Sequence, residues 1–562
     1  PQVQDGILMY LETFETIRKA LASATGHENP PLSDGGSHAD FASTVAFDLA
    51  KERKKPPVQI AVELAETLAS DSSLKTIRIE TRGPYINFHT GEDFVRETLS
   101  QAILPGYGNL PVQPERIVLE HTSANPNGPL HVGHIRNTII GDTLVRSFRK
   151  AGHPVEVQYY VNDMGRQIAI VVWGFTHLDS APREGEKGDH HVARVYIAAN
   201  REIEADPAIV SEVDRFMQKV EKGDAETVIL FRKVVSECLD GFRETLSLLH
   251  ARHDRFVWES DFIRNGDTSR VIDRLKRQDE CHEDGTLWID LSDAGIEKEY
   301  VLRRSDGTTV YAARDLAYHI WKGRNFDRVI DVLGADHKLI GSQLIATLKL
   351  LGERIPEIVH FEFVSLPEGS MSTRAGTFIS ADELIEEVTL RAYDEVSARR
   401  NDLDEQARRA IARSVAIAAI RYDIVKISPE KSTVFNWKEA LDFERQSGPY
   451  IQYAHARACS ILGKAGEFEP AFTLSMESEI ALAKHIAKFP WVLANSVRDL
   501  RPHLIATYAR ELADLFNVFY QFEPVLKSEG ETKNSRLTLV LATKNTLKEA
   551  LETLGIEALA TM

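Results

Sequence analysis

The chain runs to 562 residues, too long for one hydrophobic core, so roughly three or four domains are expected. Its 43% hydrophobic and 27% charged content is that of a globular protein in water, and no apolar run approaches the roughly 18 residues that span a bilayer, so no membrane partner is expected. A formal net charge of −17 argues against coating nucleic acid by bulk attraction, while leaving room for a basic patch on an acidic body.

The opening "PQVQDG" carries no signal-peptide pattern, which gives a cytoplasmic expectation. Residues 1–110 read as a small α+β unit. Helical spacing runs through "YLETFETIRKALA", "FASTVAFDLAKERK" and, past Pro56-Pro57, "VQIAVELAETLAS"; "IRIETRGPYINFHT" alternates like a hairpin. The Gly/Pro-rich "LPGYGNLPVQP" reads as a linker. "RIVLEH" is then a buried strand, followed by a turn and a helix from about His131 with Ile135, Ile139, Leu144 and Phe148 on its apolar face. Gly152-His153-Pro154 stops that helix and "VEVQYYV" is the next strand, which makes a right-handed βαβ unit. Residues 173–275 read as a charged helical insertion, and 111–172 with 276–381 as the interrupted α/β domain. In the latter, "TLWIDL", "YVLRRSDGTTVYAARDLAYHIW" (passing into a helix near Arg314), "RVIDVLGADH" and "FEFVSLPEG" supply strands. Residues 382–562 show only long amphipathic helical patterns. The cysteines, Cys238, Cys281 and Cys459, are too scattered for a disulfide framework or a cysteine zinc site.

The turn after "RIVLEH" concentrates the chemistry. In "EHTSANPNGPLHVGHIRNTIIGD", His131 and His134 open a helix, where unpaired backbone N–H groups and the helix dipole favour an anion. Two histidines at this spacing could be metal ligands, packed side chains or donors to a phosphate. The strand–turn–helix setting at the carboxyl edge of a parallel sheet favours the phosphate of a nucleotide. Gly133 leaves room for a flat ring against the backbone, and Asn125 to Pro129 would fix the approach. Gly334, Asp336 and His337 in "LGADH" end another strand and should face the same nucleotide. Asn162, Asp163 and Arg166 follow the second strand and line the cleft at one remove.

The string around His131-Val-Gly-His134 resembles the HIGH motif of class I aminoacyl-tRNA synthetases, specifically the arginyl family. "GPYINF", "SDGTTVYAARDLA", "LGADH", "MSTRAG", "SGPYIQYAHAR" and "LGIEALATM" resemble further pieces of that family in its own order, across nearly the whole chain. The resemblance implies a Rossmann-like α/β catalytic domain with an N-terminal α+β domain and a C-terminal all-α anticodon-binding domain. It implies ligation of L-arginine to tRNA(Arg) with ATP as substrate and Mg²⁺ on the phosphates; no protein-bound metal and a monomer are separate expectations, the second with no sequence feature behind it.

Glu120, Ser123 and Asn125 would then hold arginine, with Tyr311 and Asp315 gripping its guanidinium and amino groups; a planar cation pairs best with carboxylates and an aromatic face. His131 and His134 would serve the ATP phosphates, beside Gly133, Gly334, Asp336, His337, Met371 and Ser372. The second family signature, a KMSKS-type loop, departs here: Ser370-Met371-Ser372-Thr373-Arg374 has no lysine, and Arg374 is the cation left for pyrophosphate. For tRNA the candidates are Tyr85, Asn87 and Phe88 in the N-terminal hairpin, and Tyr450, Tyr453 and Arg457 in the C-terminal helical domain, where an aromatic stripe at this spacing is more often bundle core. Two rival readings are a small-molecule nucleotidyltransferase, with no use for the helical third, and a tRNA-binding module whose catalytic site has decayed.

Overall fold

A computed structural model describes residues 8–305, 307–365 and 379–562. Met371, Ser372 and Arg374 lie outside the described residues. At the N-terminal end, Ser33–Asp34, Phe41–Ser43, Tyr85–Thr90 and Ile77–Arg82 form an antiparallel sheet in that order, covered by helices that include Met9–Thr25 and Pro57–Ala69. The hairpin turns at Gly83, whose φ of 62° suits a residue without a Cβ. "FAS" of "FASTVAFDLAKERK" is strand rather than helix: Phe41 pairs with Phe88, and the helix starts only at Val45. Tertiary pairing here overrides a local helical spacing.

The central sheet is wholly parallel. Its strands are β1 (Ile117–Glu120), β2 (Val155–Val161), β3 (Arg255–Trp258), β4 (Arg328–Gly334) and β5 (Glu357–Phe361), in the spatial order β5-β4-β1-β2-β3. Strand β3 is a correction to the sequence reading, since it lies inside the span 173–275 taken as a purely helical insertion. Four residues alternating with arginine and tryptophan give too short a signal between long helices. The chain order reverses between β1 and β4, and ligands of such sheets bind outside the carboxyl ends at that switch point.

Helix α1 (Val132–Lys150) follows β1, and α2 (Arg166–His177) follows β2. An antiparallel sheet of Cys281–Glu283, Leu287–Leu291 and Ile296–Arg303 leads into α3 (Tyr311–Asn325), which begins three residues before Arg314; α4 (Lys338–Leu350) follows β4. Beyond residue 380 the chain is a helical bundle from Ala381–Arg399 to Gly530–Thr553, with one short strand, Thr433–Val434, paired to Val364–Ser365.

Helix α1 is docked along its length on that bundle. Fully buried Arg136 donates to the carbonyls of Phe363 at 3.1 Å and Lys431 at 2.6 Å. Asp142 accepts from Arg421 at 2.5 Å; that guanidinium also reaches the carbonyls of Leu554 and Leu249. At the far end Lys150 pairs with Glu549.

Candidate active site

Helix α1 starts in an unusual capping box. His131 sits at the N-cap, where its Nδ1 accepts the Gly133 N–H at 3.1 Å, and Nδ1 of His134 accepts the His131 N–H at 3.3 Å. The two rings stack with centroids 3.7 Å apart. With each Nδ1 used as an acceptor, the ring proton belongs on Nε2, which makes each imidazole a neutral donor through that atom. Burial lowers the pKa of both, that of His134 to about 3 with help from His131, so neither carries charge near neutral pH. One expectation is corrected: a Cβ on Gly133 would lie 2.9 Å from Cε1 of His131, so the space over the glycine is taken by the histidine ring itself.

Between β1 and α1 the backbone turns through Thr122 and Ser123, both at positive φ (71° and 38°). Non-glycine residues pay conformational energy there, and the surrounding bonds hold them to it. Asn137 of α1 accepts the Thr122 N–H at 2.8 Å, and the Ser123 hydroxyl accepts the Tyr160 N–H at 3.0 Å while donating to Glu120 at 2.9 Å. Exposed Asn125 is joined to Asn162 and Gln167. The turn therefore fixes Glu120, Ser123 and Asn125 as one unit.

On the other flank, half-exposed Tyr311 opens α3, and Asp315 follows one turn later. Tyr311, Asn162, Arg166, Arg314 and Glu259 line a cleft of about 470 Å³. Glu259 was missed in the sequence. It is the first residue after β3, buried to 1% exposure, with Oε1 bonded to Arg314 at 2.9 Å and Oε2 without a partner among the described residues. Burial pushes its carboxyl up to about 7, against the opposing pull of Arg314. The acids converge: the buried phenol of Tyr160 has its pKa raised by burial first, then by the charges of Glu259, Asp315 and Glu120, and its hydroxyl has no partner among the described residues. The deep signal was a carboxylate at a strand's carboxyl end, hidden because the strand itself was not legible.

Lys322 of α3 is wholly buried and bonds Glu120 at 2.9 Å and Asp331 at 2.5 Å, with the Tyr318 ring 4.2 Å from its ammonium. Glu120, His319 and Asp331 are spaced closely enough to hold a metal, but the lysine is already their cation. The second such group, Asp189, His190 and Asp382, is likewise filled by Lys187.

Gly334, Asp336 and His337 stand at the carboxyl end of β4, the last two exposed and bonded to each other at 3.2 Å. Asp163 is not in the cleft wall; it is buried and caps the helix Glu259–Arg264 through Ser260. Arg166 pairs with Asp214 at the cleft rim.

Among the expected tRNA contacts, Phe88 and Asn87 are corrected, being buried in the N-terminal sheet, because the pairing of Tyr85–Thr90 with two neighbours turns Phe88 inward; Tyr85 stays 45% exposed. Tyr450 is also corrected: it is buried and held by Asp514 at 2.7 Å and Asn517 at 2.9 Å. Tyr453 is exposed, and Arg457 lies between its ring and that of exposed Tyr520, 4.8 and 4.9 Å from the centroids.

Residues 99–437 match the family model "tRNA synthetases class I (R), catalytic domain", 451–562 the "DALR anticodon binding domain", and 13–90 the "Arginyl tRNA synthetase N terminal domain". The chain is 64% identical over 558 residues to the arginine–tRNA ligase of Methanoregula boonei, covering 99% of this chain and 100% of that one. Its identity to the arginine–tRNA ligase of Methanosphaerula palustris is also 64%, over 560 residues and with the same coverage. Among solved structures, the arginyl-tRNA synthetase of Thermus thermophilus superposes with a TM-score of 0.87 at 30% identity, over 98% of this chain and 100% of that one.

Proposed function

The chain belongs to the arginyl-tRNA synthetases of class I, and on that premise we propose how its residues divide the work. It is an arginine–tRNA ligase: the α-carboxylate of L-arginine attacks the α-phosphorus of ATP, pyrophosphate leaves, and the terminal hydroxyl of tRNA(Arg) takes the arginyl group from the adenylate. The helical third thereby has a use, against the small-molecule nucleotidyltransferase reading.

Glu120, Ser123 and Asn125 hold arginine on the β1 side, and Tyr311, Asp315 and Glu259 receive its cationic end on the α3 side. His131 and His134 donate through Nε2 to phosphate oxygens as charge develops, at the positive end of the α1 dipole, with Gly133 beneath the His131 ring and its N–H holding that ring. Gly334, Asp336 and His337 face the nucleotide from β4, and Met371 and Ser372 belong to the same ATP set. Arg374 carries the pyrophosphate contact that the missing lysines would make. Both acid–histidine groups among the described residues already hold an ammonium, so Mg²⁺ fits here as an ion borne by the triphosphate, where it would offset phosphate charge. For tRNA the candidates at the surface are exposed Tyr85 and Tyr453, with half-buried Arg457 beside the latter. We place the enzyme in the cytoplasm as a monomer; no helix of the described residues is long and apolar enough to cross a membrane.

The observation that carries this reading is the set of three carboxylates around the buried Tyr160 phenol, Glu120 from the β1 side with Asp315 and Glu259 from the α3 side, beside the stacked imidazole pair that opens α1. Steady-state aminoacylation by D315N and H134N tests it. D315N should raise KM for arginine alone, and H134N should lower kcat or raise KM for ATP. An unchanged arginine KM in D315N removes the assignment.

A further inference from the structure

Asp315, His319 and Lys322 occupy positions i, i+4 and i+7 of α3, one face of the helix. That face lies over Glu120, the last residue of β1, and Asp331, midway along β4, which are register partners on adjacent strands. Two carboxylates side by side in a buried sheet repel each other, yet both are held: Lys322 stands between them, bonded to Glu120 at 2.9 Å and Asp331 at 2.5 Å. His319 continues the line. Its Nε2 is 2.9 Å from the other Asp331 oxygen, and its Nδ1 is 2.8 Å from the Asp315 carbonyl and 3.1 Å from the Asp315 carboxylate. Every one of these partners is an acceptor, so both ring nitrogens must donate and the ring is an imidazolium. The carboxylates of Asp315 and Asp331 hold its pKa near 10 even though burial and Lys322 pull it down.

We infer that His319 and Lys322 are positioning residues for arginine recognition, fixing Glu120 and Asp315 as the two ends of an alternating chain of charge, Glu120–Lys322–Asp331–His319–Asp315. Three carboxylates and two cations leave one excess negative charge along this line. Arginine, with one net positive charge at neutral pH, balances it; a neutral isostere such as citrulline does not. Packing alone gives no reason for the stripe, since apolar residues of similar volume commonly replace buried ion pairs without loss. The inference rests on the assignment of Glu120 and Asp315 to arginine made above.

The test is steady-state aminoacylation by the full chain, with KM for arginine, KM for ATP, kcat and thermal melts for K322M, H319Q and K322M/D331N, beside E120Q and D315N. Loss of charge-assisted bonding at either acid should raise arginine KM roughly 10- to 100-fold, with ATP KM unchanged. If E120Q and D315N raise arginine KM while K322M, H319Q and the double variant do not, the positioning role is overturned and the site reading stands. If E120Q and D315N also leave it unchanged, the site reading falls and the inference with it. A loss confined to kcat or melting temperature assigns the stripe to folding and overturns the proposal. Should K322M alone fail to fold, H319Q and the charge-balanced double variant decide.

Discussion

Replacing Glu259 by glutamine removes one charge and almost no volume. In the free enzyme its carboxyl is raised from 4.5 to about 7, chiefly by burial. The folded state therefore binds the proton more tightly than the unfolded chain, and stability falls as pH rises from about 4.5 to about 7. At pH 8 the buried charge costs on the order of 3 kcal/mol, which E259Q recovers in part. The variant should melt no earlier than the parent at pH 8. Its catalysis should move the other way: losing a charge-assisted bond to the guanidinium costs roughly 1.5–3 kcal/mol, a 10- to 150-fold drop in kcat/KM for arginine. The same carboxyl should shape the pH profile. The protonated acid cannot pair with a cation, so the parent's kcat/KM for arginine should climb with pH to a plateau above about 7, and E259Q should lose that limb. Aminoacylation at saturating ATP and tRNA across pH 5.5–8.5, in buffers of matched ionic strength, measures both. An E259Q enzyme with parental kcat/KM and a parental pH limb would refute the placing of this acid at the guanidinium.

Three further predictions concern other parts of the chain. R374A should slow single-turnover adenylate formation by roughly 10²- to 10³-fold, the loss of one donor to developing charge; an unchanged rate removes Arg374 from the pyrophosphate contact. F88A should cost about 3–5 kcal/mol of stability and Y85A much less, read by urea melts; equal small losses would contradict the buried position of Phe88. R457A should weaken tRNA binding and reduce the slope of log K against log salt by about 1, whereas an unchanged slope would mean the guanidinium meets no phosphate.

Strand, turn and helix around "HVGH" were legible because the buried run "RIVL", the Pro/Gly turn and the apolar face at Ile135 and Ile139 all agree on one local structure. The whole order of the parallel sheet was not, because β3 is four residues long and its place beside β2 is set by packing between distant segments. Aromatic spacing could not say which of Tyr450 and Tyr453 faces outward; the partner helix bearing Asp514 and Asn517 decides that. Asp315 was found by motif, but its link through His319 and Lys322 to Glu120 joins residues some two hundred positions apart and has no local signature.

The fastening of α1 to the bundle bears on how the molecule comes apart. Withdrawing the Arg421 guanidinium would leave Asp142 to Arg146 alone, at 2.7 Å, and strand two backbone oxygens, from segments near residues 249 and 554. Each buried oxygen left without its donor costs about 1–3 kcal/mol before any apolar surface is exposed. Heat or urea should therefore dissolve the nucleotide sheet and the helical bundle together, as a single cooperative block, with the imidazole pair lost in that same event.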